Sequence, residues 1–232
     1  MILPKNGTEL LVDESITANY KNGREDYLGF SQIGEECERK IYYDLHSKKE
    51  IPEPIMIRLF GLGHLLESEI IRILREAGLT IYDIDPETGK QFQVRYFNDQ
   101  FRGSPDGIIV GLPESKVPHL LEIKTYNDKR FTELKKSGVK ISDPKYSSQM
   151  QINMAAFELT RGLLVAYNKN TSELHYERLD FDPFDAALLM AKGQRILSAK
   201  SDEELDKAYP DQNFFKCKFC SHRKRCWGIT TE

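Results

Sequence analysis

Asp106, Glu122 and Lys124 have the residue types and spacing to do hydrolytic chemistry on an anion. Asp106 ends the turn Gly103-Ser104-Pro105-Asp106-Gly107, and Glu122-Ile123-Lys124 follows 16 residues after it. Side chains two apart on a β-strand share a face, so Glu122 and Lys124 can enter one pocket while Ile123 packs behind. If the strand that begins at Asp106 pairs with theirs, Asp106 lies beside Glu122. Two hard carboxylates can hold Mg²⁺ or Mn²⁺, which neutralises a phosphate and lowers the pKa of a bound water. The amine can orient or deprotonate that water, or stabilise charge developing on phosphorus. The carbonyl of Ile123 emerges between the two active side chains and is a further candidate ligand. A lone Glu-x-Lys carries almost no information; the Asp turn upstream is what makes the set specific.

The second constellation is sulfur. Cys37 stands near the start, and Cys217-x-x-Cys220-x-x-x-x-x-Cys226 near the end. Cys-x-x-Cys puts two thiolates on one side of a tight turn, which suits Zn²⁺ or an iron–sulfur cluster. Spacing alone favours zinc. The same tail carries Lys216, Lys218, Arg223, Lys224 and Arg225 among Phe214, Phe215, Phe219 and Trp227. Such a segment can meet phosphates and unpaired bases, or be a solvated face whose aromatics pack around a cluster. The sequence leaves both open.

The elements that must position these residues can be read coarsely. Residues 1–30 are polar and read as irregular. One helix is expected over 31–45, through Cys37 and with Ser31 as N-cap. A longer one is expected over 54–77, with Leu59, Leu62, Leu66, Ile70, Ile73, Leu74 and Ala77 as its apolar stripe and Gly78 after it. Strands are expected over 91–101, 107–110 and 119–125, with a turn at Arg102–Gly107 between the first two. Helices over 129–137 and 146–160, strands over 163–168 and 174–181, and a helix over 183–199 complete the order. That is an α/β core with one central mixed sheet flanked by helices. The expected division is an irregular segment 1–30, a core 31–208, and a cysteine module 209–232 completed by Cys37.

These residues resemble the PD-(D/E)xK nuclease superfamily, in particular its RecB-like branch, over about residues 31–228. The resemblance implies a restriction-endonuclease-like core and a metal-dependent deoxyribonuclease. It also makes His64, in Gly61-Leu62-Gly63-His64, a metal ligand on the helix before the sheet. Helical geometry sets His64 on a flank of the stripe with Phe60 and Glu67. Glu67 could be the ligand instead, or hold His64 in one tautomer. Gln149, in Tyr146-Ser147-Ser148-Gln149-Met150-Gln151, resembles the glutamine of phage-type recombination exonucleases, expected near the attacking water or the lysine. The sequence departs from the RecB-like Gln-x-x-x-Tyr form, because residue 153 is Asn. The one-plus-three cysteine layout is similar to that of AddB-type and CRISPR-associated iron–sulfur exonucleases. Cys37-Glu38-Arg39-Lys40-Ile41-Tyr42-Tyr43 and Tyr209-Pro210 match their surroundings. The resemblance implies a structural [4Fe–4S] cluster on Cys37, Cys217, Cys220 and Cys226, with zinc as the lesser alternative.

Bulk properties bound the rest. Of 232 residues, 40% are apolar and the net charge is −3, so no global basic field is present and nucleic-acid contact must be local. No P-loop occurs, which argues against a built-in motor. Residues 1–6 lack the apolar region of a secretory leader, no run is long enough to cross a bilayer, and a reducing, cytoplasmic setting is expected. The expected activity is DNA exonuclease or end-processing cleavage in recombination or repair, on single strands or free ends, alone or with a helicase. An endonuclease on the same core, and a non-catalytic DNA-binding or assembly subunit with a zinc-bound module, are the rivals.

Overall fold

The computed structural model describes residues 6–21, 27–48 and 50–229, so the ends of the expected first and last segments lie outside the described residues. The first 30 residues are not simply irregular. Helix α1 (Gly7–Asn19) starts on a capping box: Asn6 Oδ1 accepts from the Glu9 amide at 3.0 Å, while the Asn6 amide donates to the Glu9 carboxylate at 2.7 Å. None of its residues is buried, so no apolar stripe announces it.

After β1 (Leu28–Gly29), the single helix expected over 31–45 proves to be two, α2 (Phe30–Ile33) and α3 (Glu38–His46). Ser31 lies inside α2, and Cys37 takes the N-cap position of α3. Gly34 marks the break, where the chain presses so closely on a later helix that a Cβ would sit 2.6 Å from the Cα of Lys145. The next residue, Glu35, is bonded to Lys40 and Lys145. Burial works against its charge, but the two ammonium groups win and hold its carboxyl at about 2.

Helix α4 (Pro54–Glu76) has Pro54 in its first turn. The expected stripe is realised only toward its C-terminal end, where Ile70, Ile71 and Leu74 are buried; Leu59, Leu62 and Ile73 are exposed. That end packs on strands β2 (Thr80–Tyr82) and β6 (His119–Tyr126), whereas α4 also reaches α1. Between those strands come β3 (Val94–Tyr96), β4 (Phe101–Gly103) and β5 (Gly107–Val110). The strand expected over 91–101 is therefore corrected: Phe97, Asn98 and Asp99 all take positive φ, and the chain doubles back as β4 through the start of the expected turn. β2 is too short to show any alternation in sequence.

The remaining elements are α5 (Asp128–Ser137), α6 (Val139–Ser142), α7 (Pro144–Ala156), β7 (Arg161–Asn168), β8 (Leu174–Asp180) and α8 (Pro183–Ser198). A 3₁₀ turn (Asp202–Glu204) and short helices α9 (Phe215–Lys218) and α10 (Arg223–Trp227) follow. The single sheet expected is corrected to two. A five-stranded mixed sheet runs β2-β5-β6-β7-β8, and a small sheet runs β1-β4-β3. In the larger one β6 and β7 are parallel and the other pairs antiparallel. The small sheet carries the Phe30 ring against Gly103, where a Cβ would lie 1.9 Å from the ring; only glycine fits there.

Strand alternation divides the core between two helical layers. Leu121 and Ile123 of β6 pack with Ile70, Ile71 and Leu74 of α4. Leu120 packs on the other face with Met150 and Met154 of α7 and Phe131 and Leu134 of α5. Glu122 and Lys124 share the parity of Leu120, so both are carried on the face toward α7.

Candidate active site

Position in the sheet brings Asp106 to Glu122. Gly107 of β5 is registered against Leu121 of β6, which sets Asp106 alongside Glu122 at the mouth of the hairpin. The Asp106 amide donates to the Leu121 carbonyl at 3.2 Å, and Asp106 Oδ2 accepts from the Ile123 amide at 2.6 Å. The carboxyl is thus clamped by the strand that carries its partners.

Glu122 is fully buried. Its Oε1 accepts from Gln149 Nε2 of α7 at 2.7 Å and pairs with the Lys124 ammonium. The Lys124 ammonium lies 5.2 Å from the centre of the Tyr146 ring. Lys124 and Gln149 are therefore both bonded to Glu122, and Asp106, fixed on the Ile123 amide, is near enough to act electrostatically on Glu122 and Lys124. Gln149 is bonded to Glu122; no bond ties it to Lys124.

The α4 residues stand across from this network. His64, Glu67, Ile123 and Lys124 line a cleft of 860 Å³. His64 is close enough to favour the charged form of Asp106, and Glu67 close enough to oppose that of Glu122. Burial pushes the Glu67 carboxyl up to about 7, with the charges of Asp106 and Asp83 adding and Lys124 opposing. The Asp106 and Glu122 carboxyls are also raised, chiefly by burial. Burial would discharge Lys124, yet Glu122 and Asp106 outweigh it and hold the ammonium protonated.

Among the described residues, no group of three or more His, Cys, Asp or Glu side chains is placed to hold a metal ion as it stands. The donor chemistry nonetheless fits a hard divalent cation. Asp106, Glu122 and Glu67 are carboxyl groups raised chiefly by burial, and among the described residues buried Glu122 Oε2 and Gln149 Oε1 have no hydrogen-bond partner.

The cleft also receives residues that carried no signal in the sequence: Arg130 from α5, Lys169 from the β7–β8 turn, and Tyr20, Lys21 and Tyr27 from the N-terminal segment. On its other side Gln149 lines a smaller recess of 130 Å³ with Ser31, Arg102 and Ser104.

The cysteines are all free and partly buried. Cys37, Cys217 and Cys220 line a single cleft. Burial pushes the Cys217 thiol up, and the neighbouring Cys37, Cys220 and Cys226 thiols push the same way while Trp227 opposes. The other three thiols thus all act on Cys217, and soft thiols are donors suited to iron–sulfur or zinc, although among the described residues no three of them are placed to hold a metal as they stand. The surrounding segments are joined independently of sulfur. Arg39 Nε donates to the Leu205 carbonyl at 2.8 Å, Tyr43 Oη to Asp202 at 2.6 Å, and His222 Nε2 meets Asp44 at 2.7 Å.

No family model matches the sequence, and no curated protein matches it. Solved structures do match. A protein named SSO0001 is 16% identical, with TM-score 0.52 and 98% of each chain covered. The alkaline exonuclease LHK-Exo of Laribacter hongkongensis is 22% identical, with TM-score 0.50, covering 80% of this chain and 91% of its own. At these identities the likeness establishes the fold: a mixed α/β core with helices on both faces of the sheet, consistent with the restriction-endonuclease-like core expected above.

Proposed function

We propose that this chain is a Mg²⁺- or Mn²⁺-dependent DNA exonuclease or end-processing nuclease that hydrolyses phosphodiester bonds in recombination or repair, alone or beside a helicase. One observation carries the reading: Lys124 and Gln149 both bond Glu122, Asp106 is fastened to the Ile123 amide of the same strand, and Lys124 opens onto a cleft. The fold shared with an alkaline exonuclease supports it.

In this reading Asp106 and Glu122 hold the cation, with the Ile123 carbonyl and His64 as further ligands and Glu67 beside them. When bound, the cation supplies charge neutralisation at the phosphate and a more acidic water. Lys124, kept protonated by its carboxylate neighbours, faces the negative charge that grows on the phosphate oxygens, the electrostatic one of the roles open to it. Gln149 fixes one oxygen of Glu122. Cys37, Cys217, Cys220 and Cys226 hold a structural [4Fe–4S] cluster, with zinc as the alternative occupant.

End-labelled linear DNA and closed plasmid circles, each with Mg²⁺ or Mn²⁺, test the reading. Digestion of the linear substrate is expected, lost in Lys124→Ala with folding unchanged by circular dichroism. Digestion that survives Lys124→Ala would take the lysine out of the mechanism. Cutting of circles would make the enzyme an endonuclease. Iron and labile sulfide in anaerobically purified protein are expected, and colourless protein with one zinc would overturn the cluster.

A further inference from the structure

Phe215 and Phe219 are 71% and 79% exposed, although they flank Cys217 in the most cysteine-rich part of the chain. They do not pack inward around the thiols. Their rings meet edge to face, with centroids 5.1 Å apart, and both line a cleft of 650 Å³. Exposing two phenylalanines side by side costs solvation that a purely structural segment would avoid by burying them.

Two observations indicate what these rings meet. The first is continuity. Arg130 and Tyr146 line both this cleft and the 860 Å³ cleft that holds Lys124, so the two clefts adjoin at these residues, with Lys124 on one side and the aromatic pair on the other. The second is charge. Between residues 207 and 229 stand six Lys or Arg and a single acidic residue, Asp211, in a chain whose net charge is −3. Around the cleft of the aromatic pair, Arg130 is matched by Asp143, Lys145 by Glu35, and Lys216 by Glu36. These walls orient a polyanion more than they attract it, which leaves affinity to the ring faces and to the exposed lysines of the same segment, Lys218 and Lys224.

We propose that Phe215 and Phe219 form a stacking platform for unpaired bases of a DNA single strand whose backbone leaves the catalytic cleft past Tyr146 and Arg130. The proposal rests on the nuclease reading and adds a strand-state preference to it. A duplex hides its base faces, so only an unpaired strand can use the rings; stacking of this kind is indifferent to sequence.

Fluorescence anisotropy without added divalent cation tests this, using a short oligothymidylate, an abasic backbone of equal length and a blunt duplex. Phe215→Ala and Phe219→Ala should each weaken oligothymidylate binding by roughly 5- to 150-fold, the range expected for a lost base–aromatic stack. The salt dependence should stay unchanged, because no phosphate contact is removed. Phe215→Tyr and Phe219→Tyr should bind as the unsubstituted protein does, and abasic and duplex probes should not respond to any of the four changes. Equal binding by the alanine variants, equal affinity for abasic and thymidylate strands, or a loss that tyrosine fails to restore would each overturn the platform. Failure of the nuclease reading has a separate signature, namely no digestion of end-labelled DNA by the unsubstituted protein.

Discussion

Glu122 shows how little each residue of the network could do alone. Its carboxyl is buried and raised by that burial, and it stays anchored because Gln149 and Lys124 both bond one oxygen. A carboxylate placed like this is a ready ligand only while its orientation is fixed by the groups behind it. Gln149→Ala removes the neutral donor and leaves Lys124 as the remaining hold on that oxygen. The expected result is a roughly 10- to 100-fold loss in activity or in metal affinity, read as a rightward shift in the Mg²⁺ dependence of cleavage. An unchanged Mg²⁺ titration would reduce Gln149 to a packing residue. Asp106 and Glu122 were legible at this scale from type and spacing, because strand periodicity and hairpin pairing are local rules. The partner oxygen of Gln149 was not: the resemblance sets it near the water or the lysine, and in the structure it meets the lysine by sharing Glu122 Oε1 with it.

At the scale of elements, the network depends on how closely α7 approaches the segment between α2 and α3. The approach is closest at Gly34, which lies against the backbone of Lys145 and the side chain of Ser148, one residue before Gln149. Gly34→Ala should therefore cost about 1–3 kcal/mol, the usual cost of overpacking a tight contact, measured by urea denaturation. The same variant should also cut cleavage, because α7 cannot shift without moving Gln149. Stability equal to that of the unsubstituted protein would show that the two segments can separate freely. The break at Gly34 was invisible in the sequence, since Phe30, Ile33 and Ile41 continue an apolar pattern across it. The turn at Phe97–Asp99 was missed for a related reason: three residues without glycine take positive φ there, and the flanking Val94, Tyr96 and Phe101 read as one strand.

Across the whole molecule, the segment after α8 is held to α3 by a polar clasp of Arg39, Tyr43 and Asp44 with Leu205, Asp202 and His222. The cysteines sit beside that clasp, so the cluster proposed on them would lock an arrangement that hydrogen bonds already outline. Cys226→Ser should then lose bound iron and lower the melting temperature, while far-ultraviolet circular dichroism keeps the signature of the five-stranded sheet and its helices. Full metal content in Cys226→Ser would exclude that cysteine as a ligand. Cleavage by Cys226→Ser should also fall, because Cys37, Cys217 and Cys220 line the cleft that adjoins the catalytic one.

The amino-acid sequence by itself determined the parts governed by short-range rules. It held the pairing of an acidic turn with Glu-x-Lys, the long amphipathic helix before the sheet, the elements α5, α7, β7, β8 and α8 after β6, and the cysteine spacing. Tertiary structure alone decided the split into two sheets, the capped but unburied α1, the exposure of the first half of α4, and the entry of Arg130 and Lys169 into the cleft. Those features arise from contacts between residues far apart in the chain, such as Phe30 on Gly103 and Gly34 on Lys145. Periodicity reports which face of an element is apolar; it does not report what that face will meet.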